Sequence, residues 1–138
     1  VAFFRVLASF VVQFGLHGEP AVNAVWREQR IEDDPVLESN KRGFVAFATS
    51  SSSHSRTTQV FINLSNTNAF LDEGGYAPIG RVVEGIENVD KLFSGYGDSE
   101  PHGRGPSQGL IQVEGDEYLK REFPDLDYVR NVTLLDAD

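Results

Sequence analysis

Apolar residues along this chain gather in short, dense runs rich in aromatic and β-branched side chains, parted by polar stretches that carry Gly and Pro. The runs Phe3 to Leu7 and Phe10 to Phe14, with small Ala8 and Ser9 between them, predict two short strands or one bent strand, closed by Gly15 and Gly18. From His17 to Asn40 apolar periodicity disappears. Pro20, Pro35 and the acidic group Glu32-Asp33-Asp34 there predict a long ordered loop without helix, with Trp26 as its anchor. Gly43 to Ala48 and Gln59 to Leu64 read as strands joined by the polar loop Ser50 to Ser55. A polar turn at Ser65 to Asn68 leads to Phe70-Leu71, the turn Asp72 to Gly75, and a strand over Ile79 to Val83. Val89, Leu92 and Phe93 stand at helical spacing and predict a short helix. Gly95 to Pro106 reads as loop. Leu110, Ile111, Tyr118 and Leu119 predict a helix broken at Gly115 and ended by Pro124, and Tyr128 to Leu135 a strand closing the sheet. Short strands, small helical pieces and Gly-rich turns favour a mainly β barrel or sandwich over a βαβ fold.

The length of 138 residues and the hydrophobic content of 40% suit one domain over residues 1–138. A net charge of −9, with no Lys/Arg run, argues against nucleic acid and anionic membrane surfaces as partners. With no cysteine, disulfides and thiolate chemistry drop out. The chain shows neither an apolar run of the ~20 residues that span a bilayer nor a signal-peptide pattern, so it reads as soluble, its compartment open. Val1 in place of Met, only two residues before a strand, suggests a fragment or a processed form.

Arg5 is the most unusual residue, a charge set among Phe3, Phe4 and Val6. It either faces solvent from the polar side of a half-buried strand or serves a site. Other chemistry is thinly supported. His54 among serines suggests a serine hydrolase, but no G-x-S-x-G elbow accompanies it. His17, His54 and His102 lack metal-ligand spacing, and Gly95, Gly97, Gly103 and Gly105 do not form a phosphate loop. Asn63-Leu64-Ser65 and Asn131-Val132-Thr133 match the glycosylation triplet but coincide with predicted strands.

Phe3-Phe4-Arg5-Val6, Phe10-Val11-Val12-Gln13, Gln59-Val60-Phe61-Ile62-Asn63 and Leu71-Asp72 through Gly80 resemble, in order and spacing, the cyclophilin family of peptidyl-prolyl cis-trans isomerases. Trp26, Asp33-Asp34-Pro35-Val36 and the segment Phe123 to Tyr128 resemble the members with an extended loop. The resemblance implies a cyclophilin-like antiparallel β-barrel with short helices. It also implies that about two strands and a helix preceding Phe3 in the family are missing here, so the native protein is expected to be longer or to borrow those strands.

By the same resemblance Arg5 is the catalytic arginine and Gln13 the glutamine that supports it and binds the substrate backbone. Phe10, Val11, Phe61 and Leu71 correspond to the proline pocket. Gln59, Phe70 and Tyr76 correspond to substrate-contacting positions, and Thr49 and Ser50 to the backbone-binding segment. The implied activity is rotation about X-Pro bonds in proline-containing polypeptides, with no cofactor and no metal. That rotation meets a barrier of about 18–20 kcal/mol. A guanidinium beside the twisting nitrogen, which regains its lone pair, is bound more tightly in the transition state than before it. Two departures bear on this. The Ser-rich loop replaces a Gly- and Pro-containing one, and Phe70 replaces a tryptophan, which implies reduced affinity for cyclosporin-like ligands. A catalytically weak or inactive scaffold that binds proline-containing segments is the alternative.

Overall fold

The structure, a computed structural model, describes residues 1–136. Its strands are β1 (Arg5–Leu7), β2 (Val11–Phe14), β3 (Phe44–Phe47), β4 (Val60–Asn63) and β5 (Pro78–Arg81). They form one five-stranded sheet in the order β1-β2-β4-β3-β5, and every pair is antiparallel. A tight turn joins β1 to β2, with the Phe10 amide donating to Leu7 O at 2.9 Å. The expected antiparallel β architecture with short helices is what the chain adopts, and β1 and β5 form the margins of the sheet.

Alternation along the strands divides the core. Val6 and Val12 turn to one side and pack with Leu64, while Val11 faces the other with Phe61 and Ala46. A third cluster joins Phe4 and Leu16 to Ile111, Tyr118, Leu119 and Leu126. Those last residues come from α4 (Gln108–Glu114), α5 (Asp116–Glu122) and the turn beyond. Gly115 separates the two helices at φ 63, ψ −144, a backbone shape that belongs to glycine, and a Cβ there would strike Gly18 O. The break expected at this glycine is therefore a corner fixed by close packing.

Two expectations need correction. The stretch after His17 holds a helix, α1 (Pro20–Trp26), which starts with Pro at its first position and buries Asn23 on its inner side. Asn23 accepts the His17 amide and donates to His17 O, both at 2.8 Å, so the inward contact is polar, while the apolar Val25 and Trp26 lie exposed. Trp26, 53% exposed, does not anchor the loop. Arg56 does: it is buried, donates to Glu32 O and to Asp34 Oδ2, and lies 5.4 Å over the Phe47 ring.

The final strand is the second correction. Tyr128 forms only an isolated bridge with Ala2, the Val129 amide reaches Val1 O, and no ladder follows over residues 130–136. Two short helices complete the fold, α2 (Phe70–Glu73) and α3 (Ile86–Val89). Among the described residues no helix is long and apolar enough to cross a membrane.

Candidate active site

Register places the site. Arg5 of β1 stands opposite Gln13 of β2, Gln13 opposite Phe61 of β4, and Phe61 opposite Ala46 of β3. Directly opposed residues share a face, so one row across the sheet carries a guanidinium, an amide and an aromatic ring toward the same side. On this face lies a cavity of about 350 Å³. Arg5 and Gln13 supply polar groups to its wall, and Phe10, Val11, Phe61 and Leu71 supply apolar surface. Thr49 and Tyr76 line it too, the Tyr76 ring standing edge-on to Phe61 at 5.7 Å.

Three of the expected residues do not line the cavity. Gln59 stands behind it as a support. Phe70 is 58% exposed and stacks on Phe10, ring centres 6.0 Å apart. Ser50 turns into its own loop, where its amide donates to Ser55 Oγ and its hydroxyl accepts the Ser52 amide.

The polar side is a directed relay of hydrogen bonds. Arg5 Nη1 donates to Gln13 Oε1 at 3.0 Å, Gln13 Nε2 to Gln59 Oε1 at 2.8 Å, and Gln59 Nε2 to Gln108 Oε1 at 3.1 Å. Each amide spends its carbonyl on the donor before it and its N–H on the next acceptor, so the arginine is braced back to the start of α4. The Gly95 to Pro106 loop brings Asp98, Ser99 and His102 to the cavity, none of which the sequence pointed to. Arg5 holds the Asp98 carboxyl below the usual carboxylate range, with the Ser99 amide assisting and burial opposing.

The apolar wall has its own brace, a chain of buried amides. Asn40, Asn63 and Asn68 are almost wholly withdrawn from water. Asn68 donates to Phe10 O and Asn63 Oδ1, and Asn63 to Asn40 Oδ1 and Phe44 O. Asn40 in turn donates to Tyr76 O at 2.8 Å and to Asp72 Oδ1 at 2.7 Å. Phe10 and Tyr76 thus hang on one buried network, and the Leu71 amide donates to the Asn68 backbone O at 3.0 Å. Burial raises the Asp72 pKa, but the bonds from Ser39 and Asn40 outweigh it and leave the carboxyl low.

His54 is removed from this site. Its Nδ1 accepts the Asp33 amide at 2.9 Å, so that nitrogen is engaged by the loop backbone and not by a serine hydroxyl. Among the described residues no cluster of His, Asp and Glu could hold a metal ion.

The sheet presents an arginine beside a small apolar hollow, and comparison with known proteins narrows the class. The sequence model of the cyclophilin type peptidyl-prolyl cis-trans isomerase/CLD family matches residues 1–111, and the chain belongs to this family. The chain is 40% identical over 95 residues to the peptidyl-prolyl cis-trans isomerase A of Dickeya dadantii (strain 3937), covering 65% of this chain and 49% of the relative. It is 40% identical over 94 residues to a peptidyl-prolyl cis-trans isomerase of Acinetobacter baylyi, covering 65% and 50%. The chain therefore spans about half the length of these curated relatives. The fold is similar to that of a Cryptosporidium parvum cyclophilin type peptidyl-prolyl cis-trans isomerase crystallised with the dipeptide Ala-Pro, with TM-score 0.52, 19% identity, and coverage of 74% of this chain and 65% of the other. A second crystal structure of that protein gives TM-score 0.54 at 18% identity, covering 74% and 64%.

Proposed function

We propose that this chain, acting as one domain, catalyses cis-trans rotation about X-Pro bonds in proline-containing polypeptides. The observation that carries the reading is the position of Arg5, fixed by Gln13 and Asp98 at the wall of an apolar hollow. The pyrrolidine ring enters between Phe10, Val11, Phe61 and Leu71, where burial of its methylenes, about 0.8 kcal/mol each, holds it still. Gln13 and the Thr49 segment bind the backbone on the other side of the bond. As the amide twists, its nitrogen gains a lone pair and Arg5 donates to it, an interaction stronger at the transition state than in the planar amide. No bond is made or broken and no cofactor is required. Family membership supports this, as does the Ala-Pro dipeptide present with the Cryptosporidium protein.

The net charge of −9 sets this chain against nucleic acid and anionic membranes as partners. Phe70, which has no indole N–H, gives weak affinity for cyclosporin-like ligands. A tight stoichiometric titration with cyclosporin would contradict that. The second reading, a proline-binding scaffold of low activity, is favoured by one observation: the Ser50 amide is spent within its own loop on Ser55.

Exchange NMR on a short proline peptide separates the two. Faster cis-trans exchange at catalytic protein concentration supports the isomerase; saturable binding without acceleration supports the scaffold.

A further inference from the structure

The loop from Gly95 to Pro106 reads in the sequence as a mere connection, yet it closes one side of the hollow. Asp98 meets Arg5 with both carboxylate oxygens, Nε donating to Oδ1 at 2.7 Å and Nη2 to Oδ2 at 3.1 Å. Parallel donation of this kind fixes a guanidinium in orientation as well as in place. Only 24% of the Arg5 side chain and 21% of the Asp98 side chain remain exposed. The carboxylate is itself held, since Oδ1 accepts the Ser99 amide at 2.8 Å, and the backbone beneath it is held by the Gly105 amide, which donates to the Asp98 main-chain O at 2.8 Å.

We propose that Asp98 is a positioning residue for Arg5, so that the loop and the sheet together set the direction of the donor offered to the twisting bond. This deepens, and rests on, the isomerase reading above. Of the five N–H donors of an arginine, two go to Asp98 and one to Gln13, which leaves one on each terminal nitrogen for the substrate. Gln13 alone would restrain Arg5 through a single bond to Nη1, and the guanidinium could swing about it. A paired carboxylate also tempers the positive field at the peptide nitrogen. The remaining N–H groups act by direct donation, however, which depends on where they point more than on net charge, so fixing them outweighs the tempering.

The test compares wild type with Asp98→Ala and Asp98→Asn in three readouts: catalysed exchange in a proline peptide, the Kd of that peptide, and the Arg5 Nε–H signal in nitrogen-15 NMR. Asp98→Ala is expected to slow catalysed exchange about tenfold, and Asp98→Asn, which keeps one acceptor, by less, with Kd changed less than about twofold. The Arg5 signal is expected to be protected from water in wild type and to lose that protection in Asp98→Ala. In an Arg5→Ala background the Asp98 substitution is expected to add nothing. Wild-type exchange and an undisturbed Arg5 signal in folded Asp98→Ala would overturn the proposal, as would an equal loss in the Arg5→Ala background. If wild type itself fails to accelerate exchange, the isomerase reading falls, and the Arg5 signal still decides: protection lost on substitution upholds positioning by Asp98, and protection retained refutes it.

Discussion

Gln13 faces Arg5 across the β1–β2 pair and joins it side chain to side chain, and the same amide passes its own hydrogen bond on to Gln59. One residue therefore supports the arginine and ties it to the next strand. Gln13→Leu keeps the volume but removes both bonds and the backbone contact, and is expected to reduce catalysed exchange by roughly tenfold or more and to weaken proline-peptide binding by a smaller factor. Parallel measurement of exchange and Kd checks this.

Phe61 serves hollow and core together, since it is buried and packs with Val11 and Ala46 while its ring meets Tyr76. Phe61→Ala is expected to cost about 3–5 kcal/mol of stability and to abolish peptide binding. Urea unfolding and a peptide titration read the two effects separately.

Asn63 is fully buried at the middle of the amide chain. Asn63→Leu strands the Asn40 oxygen, the Phe44 carbonyl and the Asn68 amide, at about 1–3 kcal/mol for each unsatisfied buried group. The expected destabilisation exceeds about 3 kcal/mol on that basis. A midpoint shift in urea near zero would show that the network is dispensable.

Much of the sheet was legible because strand signals are local. The runs around Val6, Val12, Val45, Phe61 and Gly80 carry β-branched and aromatic residues with turn residues on either side, and each became a strand. The pocket residues followed from family motifs, although spacing alone does not tell a pocket Phe61 from a core one. What escaped had no local signature. The helix at Pro20–Trp26 is only seven residues long and turns Asn23 inward while Val25 and Trp26 lie exposed, so its buried face is not an apolar stripe. Val132, Leu134 and Leu135 look like strand residues but stand 82%, 94% and 89% exposed, because a strand needs a neighbour to pair with and residues 130–136 find none among those described. Asp98 lies 93 positions from Arg5, and no period or spacing links a loop carboxylate to a strand over that distance.

The ion pair predicts a pH response. Arg5 first, then the Ser99 amide and the nearby charges of Arg5 and His102, lower the folded-state pKa of Asp98 against the opposing effect of burial. The unfolded value is about 3.9. A depressed folded pKa stabilises the fold above the unfolded value, and that contribution disappears as pH falls through the folded one. The Arg5–Asp98 pair is thus expected to be intact at pH 5 and to open only below about pH 4. Carbon-13 titration of the Asp98 carboxyl checks this; a midpoint at or above the ordinary value would contradict it.

The most direct test of the central claim is exchange NMR of a proline peptide with wild type and Arg5→Ala, both shown to be folded and to bind the peptide. Acceleration by wild type that falls by about a hundredfold or more in Arg5→Ala, within the range of removing a transition-state donor, is the predicted result. Equal acceleration by both proteins would contradict the role of Arg5, and none by either would leave a proline-binding scaffold.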